Sequence, residues 1–271
     1  MANSSYYERK LKLPFFTKLI LRSHLCQLIF TKDNFTNEDL KQQGFEKVIC
    51  EGYPIMDTLH ESGKNLELNP ENPMIALLPG SRLPEALRNL ALELKVCEKL
   101  VIKYGEKWQF RGALVPSITD ENLLELALEN QWQYCEGIFT KEIEGKTVEV
   151  RVYRDAFADI LIQCNLVLGM AGTAVEQAVG LGKPVVQIPS NGPQFTYRFA
   201  EAQMRLLGLN VVTVEDTQDI EGKCEEGADK VKELLQNNQF LEKCVSNGKK
   251  RIGTQGASLK MANQIIKLGI N

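Results

Sequence analysis

Histidine is nearly absent from the sequence, which contains only His24 and His60 in 271 residues. Neither lies near a recognisable catalytic partner, so a hydrolase with a Ser-His-Asp or Cys-His site is not expected. The seven cysteines are odd in number and include neither a CxxC pair nor zinc-ligand spacing. They predict reduced thiols in an apolar core, as in a cytoplasmic protein, and no metal site.

Long apolar runs and an excess of basic charge are also missing. Because no stretch of about 18 apolar residues occurs, no transmembrane helix is predicted, and the polar first residues lack the apolar core of a signal peptide. The 32 Lys and Arg residues face 35 Asp and Glu residues, which gives a formal net charge of −3. This balance argues against nucleic acid as a partner, and we expect a cytoplasmic location.

The segment 9–22 departs from this balance, since it is basic and rich in large apolar side chains. Its basic residues are Arg9, Lys10, Lys12, Lys18 and Arg22. One interpretation is an amphipathic helix that lies on an anionic membrane surface, which would make the protein peripheral to the membrane. The other is a helix that packs on its own domain and exposes a solvated basic face.

Predicted strands and helices alternate from the start of the chain. Cys26–Thr31 and Lys47–Cys50 are apolar runs that predict strands, on either side of a helix that begins at Thr36. The polar segment 61–73 contains glycine and two prolines and predicts a linker. A domain boundary is therefore expected near residues 55–72.

Beyond the linker the alternation becomes regular. The predicted strands are apolar throughout, which is typical of a parallel sheet covered by helices on both faces. The sequence therefore predicts an α/β fold with a Rossmann-like, doubly wound parallel sheet, whose ligands bind at the carboxyl ends of the strands. The predicted strands are Met74–Leu78, Gln109–Val115, Val148–Tyr153, Asn165–Gly169, Pro184–Ile188 and Val211–Val214. The predicted helices are Leu83–Tyr104, Glu121–Asn130 with Asp120 as its cap, Asp155–Cys164, Gly172–Leu181, Gln194–Leu207 and a helical remainder from about Glu225.

The first candidate site follows the strand Met74–Leu78, where Pro-Gly-Ser-Arg leads into a helix. Gly80 allows a ligand to approach the backbone closely, and Ser81 can cap the helix or bond a phosphate oxygen. Arg82 adds a bidentate donor, and the helix N-terminus adds free N–H groups for an anion. Glu85 can cap the helix or hold the arginine. An ordinary capped turn between strand and helix is equally consistent with this pattern.

The second candidate site follows the strand Asn165–Gly169. Only two residues separate Gly169 from the next glycine and a third glycine is absent, so the pattern is not the dinucleotide fingerprint. A helix N-terminus at this turn can still hold a phosphate. The N–H groups available there belong to Gly172, Thr173 and Ala174.

Three side chains near this turn are candidates for contact with a sugar. Glu176 or Gln177, in the first turns of the following helix, can bond ribose hydroxyls, and exposure to solvent is the alternative for both. Gln194, in the loop after Pro184–Ile188, can donate and accept hydrogen bonds toward a sugar. The alternative is that Gln194 is only part of the N-cap region of a helix.

These segments resemble a known family. LLPGSR with Glu85, AGTAVEQAVGLGKPVVQIP and GPQFTYRFAEAQ look like the C-terminal domain of the lipid-A-disaccharide synthase-related glycosyltransferases. More distant similarity extends to lipid-A-disaccharide synthase itself and to the peptidoglycan N-acetylglucosaminyltransferase. The resemblance runs from about residue 20 to the end. EGYPIMDTL, residues 51–59, is similar to the segment where the family's first domain hands over to the second.

The resemblance implies a GT-B fold of two Rossmann-like domains. Residues 1–58 would be the remnant of the N-terminal domain, and residues 59–271 would be the nucleotide-sugar-binding C-terminal domain. The implied partner is a UDP-sugar, and neither a metal nor a cofactor is implied.

The resemblance also implies roles by position. Gly80, Ser81 and Arg82 would lie by the diphosphate or the acceptor cleft, and Gly172, Thr173 and Ala174 would meet the donor's phosphate. The family's ribose-binding acid falls at Gln177, and the nearest acid is Glu176, so the assignment stays open between these two. Gln194 matches a segment that faces the sugar.

The implied activity is hexosyl transfer with inversion from a UDP-sugar to an acceptor that is lipid-linked or similar to lipid A. The family's acceptor site and general base commonly lie in the first domain, so no catalytic residue is assigned. Two alternatives stay open. One is a donor-binding half that is truncated or needs a complementing N-terminal chain, and the other is a nucleotide-sugar epimerase, against which the scarcity of histidine counts.

Overall fold

The computed structural model describes residues 12–269 apart from residues 106, 191, 193, 194 and 218. Strands and helices alternate along most of this part of the chain. The strands are β1 (Ile29–Phe30), β2 (Val48–Ile49), β3 (Met74–Leu78), β4 (Gln109–Ala113), β5 (Gln133–Cys135), β6 (Ile138–Ile143), β7 (Lys146–Tyr153), β8 (Leu166–Gly169), β9 (Val185–Gln187) and β10 (Val211–Thr213). The helices are α1 (Phe15–Arg22), α2 (Asn34–Gln42), α3 (Glu85–Tyr104), α4 (Asp120–Glu129), α5 (Phe157–Gln163), α6 (Thr173–Gly180), α7 (Tyr197–Leu207), α8 (Ile220–Gln236), α9 (Asn238–Arg251) and α10 (Ala257–Gly269).

Eight strands form one sheet in the order β10-β9-β8-β3-β4-β7-β6-β5. The six strands from β10 to β7 run parallel. The chain enters at β3, moves to β4 and β7 on one side, and then crosses back to β8, β9 and β10 on the other. This reversal places the topological switch point between β3 and β8. The predicted α/β fold with a mainly parallel, doubly wound sheet is confirmed.

The edge of the sheet beyond β7 was not predicted. β5 and β6 add two antiparallel strands through two-residue turns at Glu136-Gly137 and Glu144-Gly145. All four turn residues have positive φ, as a type I′ hairpin turn requires, and this turn matches the twist of the flanking strands. The repeated Glu-Gly pair between alternating runs was the available signal.

The core lies in two apolar layers, one on each face of the sheet. Ile75 and Leu77 of β3 point into the layer beneath α3 and α8. Ala76 and Leu78 point into the opposite layer, which α5 and α6 cover. All five residues of β3 are buried, which explains why this strand reads as a continuous apolar run.

The segment around the predicted domain boundary packs against this second layer. Met56, Leu59 and Leu66 are each only 2% exposed and belong to its core. The Asp159 carboxylate of α5 accepts hydrogen bonds from the backbone N–H groups of Ser62, Gly63 and Lys64 and from the Ser62 hydroxyl. The polar stretch is therefore fastened to the large sheet, although no helix or strand forms within residues 59–73.

The N-terminal segment forms a small separate unit. β1 and β2 pair in parallel, and Leu40, Phe45 and Val48 form its buried cluster. α2 begins at Asn34, not at Thr36, because Asp33 is the N-cap and its side chain accepts the Thr36 N–H at 2.8 Å.

Candidate functional site

A cleft of about 800 Å³ opens at the carboxyl ends of the central strands. Its walls come from the turns after β3, β4, β7 and β8 and from the start of α7. The switch point between β3 and β8 lies at its centre. The cleft is therefore where a doubly wound sheet binds its ligand, and its size suits a small organic molecule.

The two predicted turns meet at this point. The Met170 N–H donates to the Leu78 carbonyl at 2.9 Å, so the turns continue the pairing of β3 with β8. Gly80 has a φ of +101°, and a Cβ there would lie 3.2 Å from the Met170 carbonyl oxygen. A residue larger than glycine would strain the backbone and press on the second turn.

The side chains of the first turn reach the cleft without capping a helix. α3 begins at Glu85 after Pro84, later than predicted, and no side chain caps its N-terminus. Ser81 and Arg82 are exposed and line the cleft. Arg82 forms no ion pair with any described residue, so its guanidinium is available to an anion.

Glu85 does not hold the arginine. Its side chain is 5% exposed, and its Oε1 accepts the Phe195 N–H at 2.7 Å. One turn along α3, the Asn89 amide donates to the Pro79 carbonyl at 2.9 Å. These two residues therefore hold the loops on either side of the cleft in place, and Glu85 reaches the cleft only as part of its wall.

The second turn presents backbone N–H groups. Gly172 is the N-cap of α6 and provides no side-chain cap. Gly172, Thr173 and Ala174 all line the cleft, and a Cβ built on Gly172 would meet open space. The N-terminus of α6 thus adds uncapped donors and partial positive charge to the site.

The structure separates the two candidates for ribose contact. Gln177 is buried and lines the cleft, and its Nε2 donates to the Ile55 carbonyl and to the Thr58 hydroxyl at 3.0 and 3.1 Å. Its Oε1 makes no hydrogen bond with any described residue. Glu176 lies outside the lining, where its carboxylate pairs with Lys32 at 2.6 Å.

Tyr53 completes the surroundings of Glu176. Burial raises the pKa of the Tyr53 hydroxyl, and the nearby negative charge of Glu176 raises it further, while the positive charge of Lys32 lowers it. Lys32 also lies 5.2 Å from the centre of the Tyr53 ring. Glu176 therefore ties the small N-terminal unit to α6.

Gln194 lies outside the described residues. The neighbouring Phe195 and Phe199 line the cleft, with ring centres 5.6 Å apart in an edge-to-face arrangement. Thr196 caps α7, since its hydroxyl accepts the Phe199 N–H. The cleft therefore has an aromatic wall beside the segment that contains Gln194.

Sequence reasoning missed several residues of the cleft. Arg154 directly follows β7 and lines the cleft, where its guanidinium donates to the Ile118 carbonyl at 2.7 Å and to Asp120 at 2.9 Å. Its position at a strand end was the available signal. Phe157 and Asn89 lie on helices and gave no comparable signal. Among the described residues, no group of three or more His, Cys, Asp or Glu side chains is placed to hold a metal ion.

The open sheet, its central switch point and the two turns that meet there define a Rossmann-like α/β domain. No family model matches the chain. The chain is 25% identical to the lipid-A-disaccharide synthase of Acinetobacter baylyi over 240 residues, which are 88% of this chain and 55% of the relative. It is 24% identical to that of Trichlorobacter lovleyi over 234 residues, 80% of this chain and 56% of the relative. The chain thus spans little more than half the length of these curated relatives, and the resemblance found in the sequence is confirmed.

Solved structures share the fold at low sequence identity. The S. aureus MnaA–UDP co-structure has a TM-score of 0.57 at 14% identity and covers 91% of this chain and 61% of its own. The Neisseria meningitidis UDP-GlcNAc 2-epimerase bound to UDP-GlcNAc has a TM-score of 0.56 at 17% identity. The match covers 90% of this chain and 62% of the epimerase chain. The spinosyn rhamnosyltransferase SpnG complexed with thymidine diphosphate has a TM-score of 0.55 at 13% identity. The match covers 94% of this chain and 58% of the rhamnosyltransferase chain. The fold is therefore one that GT-B glycosyltransferases and epimerases have in common.

Proposed function

We propose that this chain binds the donor of a glycosyl transfer, a UDP-sugar, in the cleft between β3 and β8. The observation that carries the proposal is the meeting of two turns at the switch point. There the exposed guanidinium of Arg82 and the uncapped N–H groups of α6 line one cavity. A diphosphate is the part of a nucleotide sugar that such a pair of donors would hold.

The remaining walls suit the other parts of the ligand. The Oε1 of Gln177 is an acceptor for a ribose hydroxyl, so we assign the ribose to Gln177 and not to Glu176. The cleft is apolar near Val115, Pro116 and Phe157, which suits the flat face of a base. The aromatic wall of Phe195 and Phe199 would face the sugar, and Gln194 stays a predicted sugar contact that the resemblance implies.

Transfer would proceed by attack of an acceptor hydroxyl on the anomeric carbon. The bond from that carbon to the diphosphate breaks, and the hydroxyl proton passes to a general base. Arg82 and the N–H groups of α6 stabilise the negative charge that develops on the leaving diphosphate. We assign neither the base nor the acceptor site to a described residue and place both on an N-terminal domain, of which residues 1–58 form a part.

That domain is either joined to this chain or supplied by a complementing chain. The curated relatives are nearly twice as long as the matched segment, which supports a division of the two roles. An acceptor that is lipid-linked or similar to lipid A follows only from the name of these relatives. The apolar side chains of α1 point outward, with Phe15 and Phe16 each 74% exposed, which supports contact with a lipid surface.

An epimerase acting on a nucleotide sugar is the second candidate. It is favoured by the UDP-GlcNAc 2-epimerases among the structures that share the fold. The cleft contains no histidine among its described lining residues, which favours the glycosyltransferase.

Calorimetric titration of the purified chain with UDP and UDP-sugars tests the donor role. We expect saturable binding of UDP and of at least one UDP-sugar, with uridine binding more weakly because it lacks the phosphates. Binding without hydrolysis, transfer or epimerisation would support a partner-dependent half, whereas release of an epimerised sugar would select the second candidate. Absence of UDP binding at millimolar concentration would contradict the proposed function.

A further inference from the structure

A chain of three hydrogen-bonding side chains adjoins the second turn, and none of them is among the residues that line the cleft. Two of them are buried and the third is half-buried. The Nε2 of Gln203, on α7, donates to the carbonyl oxygens of Gly172 at 2.9 Å and Ala171 at 3.3 Å. Its Oε1 accepts from the Nε2 of Gln187, on β9. The Oε1 of Gln187 in turn accepts from the Thr213 hydroxyl of β10 at 3.1 Å. We call Gln203, Gln187 and Thr213, two amides and one hydroxyl, the amide relay.

The direction of the amide relay is fixed by its first contact. Backbone carbonyls only accept hydrogen bonds, so Gln203 must turn its NH₂ group toward Ala171 and Gly172. Its Oε1 then faces Gln187, which must present its own NH₂ group. The Oε1 of Gln187 is left facing Thr213, whose hydroxyl must donate. Only one orientation of both amides satisfies every group.

Burial makes this arrangement informative. Gln187 is 0% exposed and Gln203 is 6% exposed. A buried amide is costly unless its donors and acceptors are paired. Apolar side chains of similar size would fill these positions without that requirement. Two facing amides in the interior therefore point to a use for the donors that reach the turn.

The geometry of the peptide bond indicates what the NH₂ donors of Gln203 do at the turn. The peptide bonds after Ala171 and Gly172 are trans, and in a trans peptide the C=O and N–H bonds point in opposite directions. When Gln203 holds the carbonyls of Ala171 and Gly172 on its side, the N–H groups of Gly172 and Thr173 point to the other side. Both of these residues line the cleft.

We propose that Gln203, supported by Gln187 and Thr213, is a positioning residue that aims the N–H groups of Gly172 and Thr173 at the ligand's phosphate. The inference rests on the proposed function, because the anion it serves is the diphosphate of the UDP-sugar. It assigns no contact between Gln203 and the ligand. The specificity of the site for a phosphorylated ligand would then depend on a residue outside the cleft wall.

Calorimetry with UDP and uridine tests the positioning role in three variants. Gln203→Met removes the donors to the turn, and Gln187→Met/Gln203→Met removes both facing amides, so that neither is left buried and unpaired. Gln264→Met is the matched control, because this amide of α10 bonds Glu51 away from the cleft. We expect the UDP dissociation constant to rise about tenfold to a hundredfold in both relay variants. The uridine dissociation constant should stay within about twofold, and the control should match the wild type.

The outcomes separate this inference from the proposed function. If the wild type binds UDP and the double variant binds it equally well, Gln203 does not position the turn. If UDP and uridine weaken by the same factor, the relay supports the domain in general and the inference is overturned. If the wild type does not bind UDP at all, the proposed function fails and the inference falls with it.

Discussion

At the scale of single residues, the cleft distinguishes side chains that can meet a ligand from those that shape its walls. Arg82 is exposed at the cleft, while Glu85, only three residues away, is buried and holds the Phe195 N–H. Gln177 lines the cleft, while Glu176 pairs with Lys32 outside it. Neighbouring positions in the sequence thus have different roles, and substitutions at them should have different effects.

Replacing Arg82 by alanine should weaken UDP binding without unfolding the chain. The exposed side chain has no ion pair to lose among the described residues, but it would lose a charge-assisted contact with the diphosphate. Such a contact contributes about 2 kcal/mol, or roughly thirtyfold in the dissociation constant. Arg88→Ala, which removes an exposed arginine of the adjoining helix α3 outside the cleft lining, is the calorimetric control. Equal affinities of both variants would show that Arg82 is not at the phosphates.

Alanine at Gln177 should weaken UDP binding about fivefold to tenfold, since a ribose hydroxyl would lose its acceptor. Glu176→Gln should leave the affinity within about twofold, because Glu176 lies outside the cleft. Thr58→Val removes a hydrogen-bond partner of the Gln177 Nε2 but leaves its Oε1, so it controls for disturbance of the wall. Affinity that falls with Glu176→Gln and not with Gln177→Ala would reverse the ribose assignment.

At the scale of elements, apolar runs and turn residues predicted most of the parallel sheet. β3 and β8 are buried along their whole length, so their sequences carry the signal of a central strand. The residues that cap the helices were predicted less accurately, because several neighbouring residues are able to serve as the cap. Thr119, rather than Asp120, caps α4, and α8 begins at Ile220, five residues before the predicted helical remainder.

The features that escaped prediction depend on partners distant in sequence. Gln203 receives its role from Gln187 and from the Gly172 carbonyl, which lie 16 and 31 residues away. The position of Glu176 outside the cleft depends on Lys32, 144 residues earlier. Periodicity along one helix cannot show which face such partners will cover, so these roles became visible only in the folded chain.

The hydrogen bonds that the Asp159 carboxylate accepts from residues 62–64 should make the stability of the fold depend on pH. Burial alone would raise the pKa of this carboxyl, but the hydrogen bonds from Ser62 and from the N–H groups of Gly63 and Lys64 outweigh it and lower the pKa. A carboxyl with a lowered pKa stabilises the fold above its unfolded pKa, and this contribution is lost as the pH falls through the folded pKa. We therefore expect the free energy of unfolding to fall as the pH drops below about 4, the ordinary pKa of an aspartate.

Urea unfolding of Asp159→Asn measures this contribution. At pH 7 the variant should be less stable than the wild type by about 2 kcal/mol, since several donors would lose their charged acceptor. The difference should shrink as the pH falls below the folded pKa. Asp155→Asn is the control, because its exposed ion pair with Lys64 contributes little. A difference that does not change with pH would contradict the role of the charge.

At the scale of the whole molecule, the apolar face of α1 is turned away from the protein. None of its residues is buried, and Phe15 and Phe16 are each 74% exposed. Leu21 is the residue of this helix that packs toward the small buried cluster. A helix that only covered its own domain would show the opposite arrangement. No described helix is both long and apolar enough to cross a membrane.

This outward face should bind an anionic lipid surface. The side chains of Phe15, Phe16, Leu19 and Ile20 would enter the interface, while Lys18 would meet the headgroups. Sedimentation with vesicles that contain anionic lipid should retain the wild type. Phe15→Ser/Phe16→Ser should reduce the bound fraction more than tenfold, since each ring contributes roughly 1.5–3 kcal/mol when buried. Equal sedimentation of both proteins, or none of the wild type, would contradict membrane contact.

The central claim is that the diphosphate of a UDP-sugar lies between the two turns at the switch point. A crystal structure of the chain with UDP tests it most directly. We predict that the β-phosphate oxygens lie within about 3.2 Å of the N–H groups of Gly172 and Thr173 and within reach of the Arg82 guanidinium. UDP bound outside the cleft, or bound in it with its phosphates away from both turns, would contradict the account.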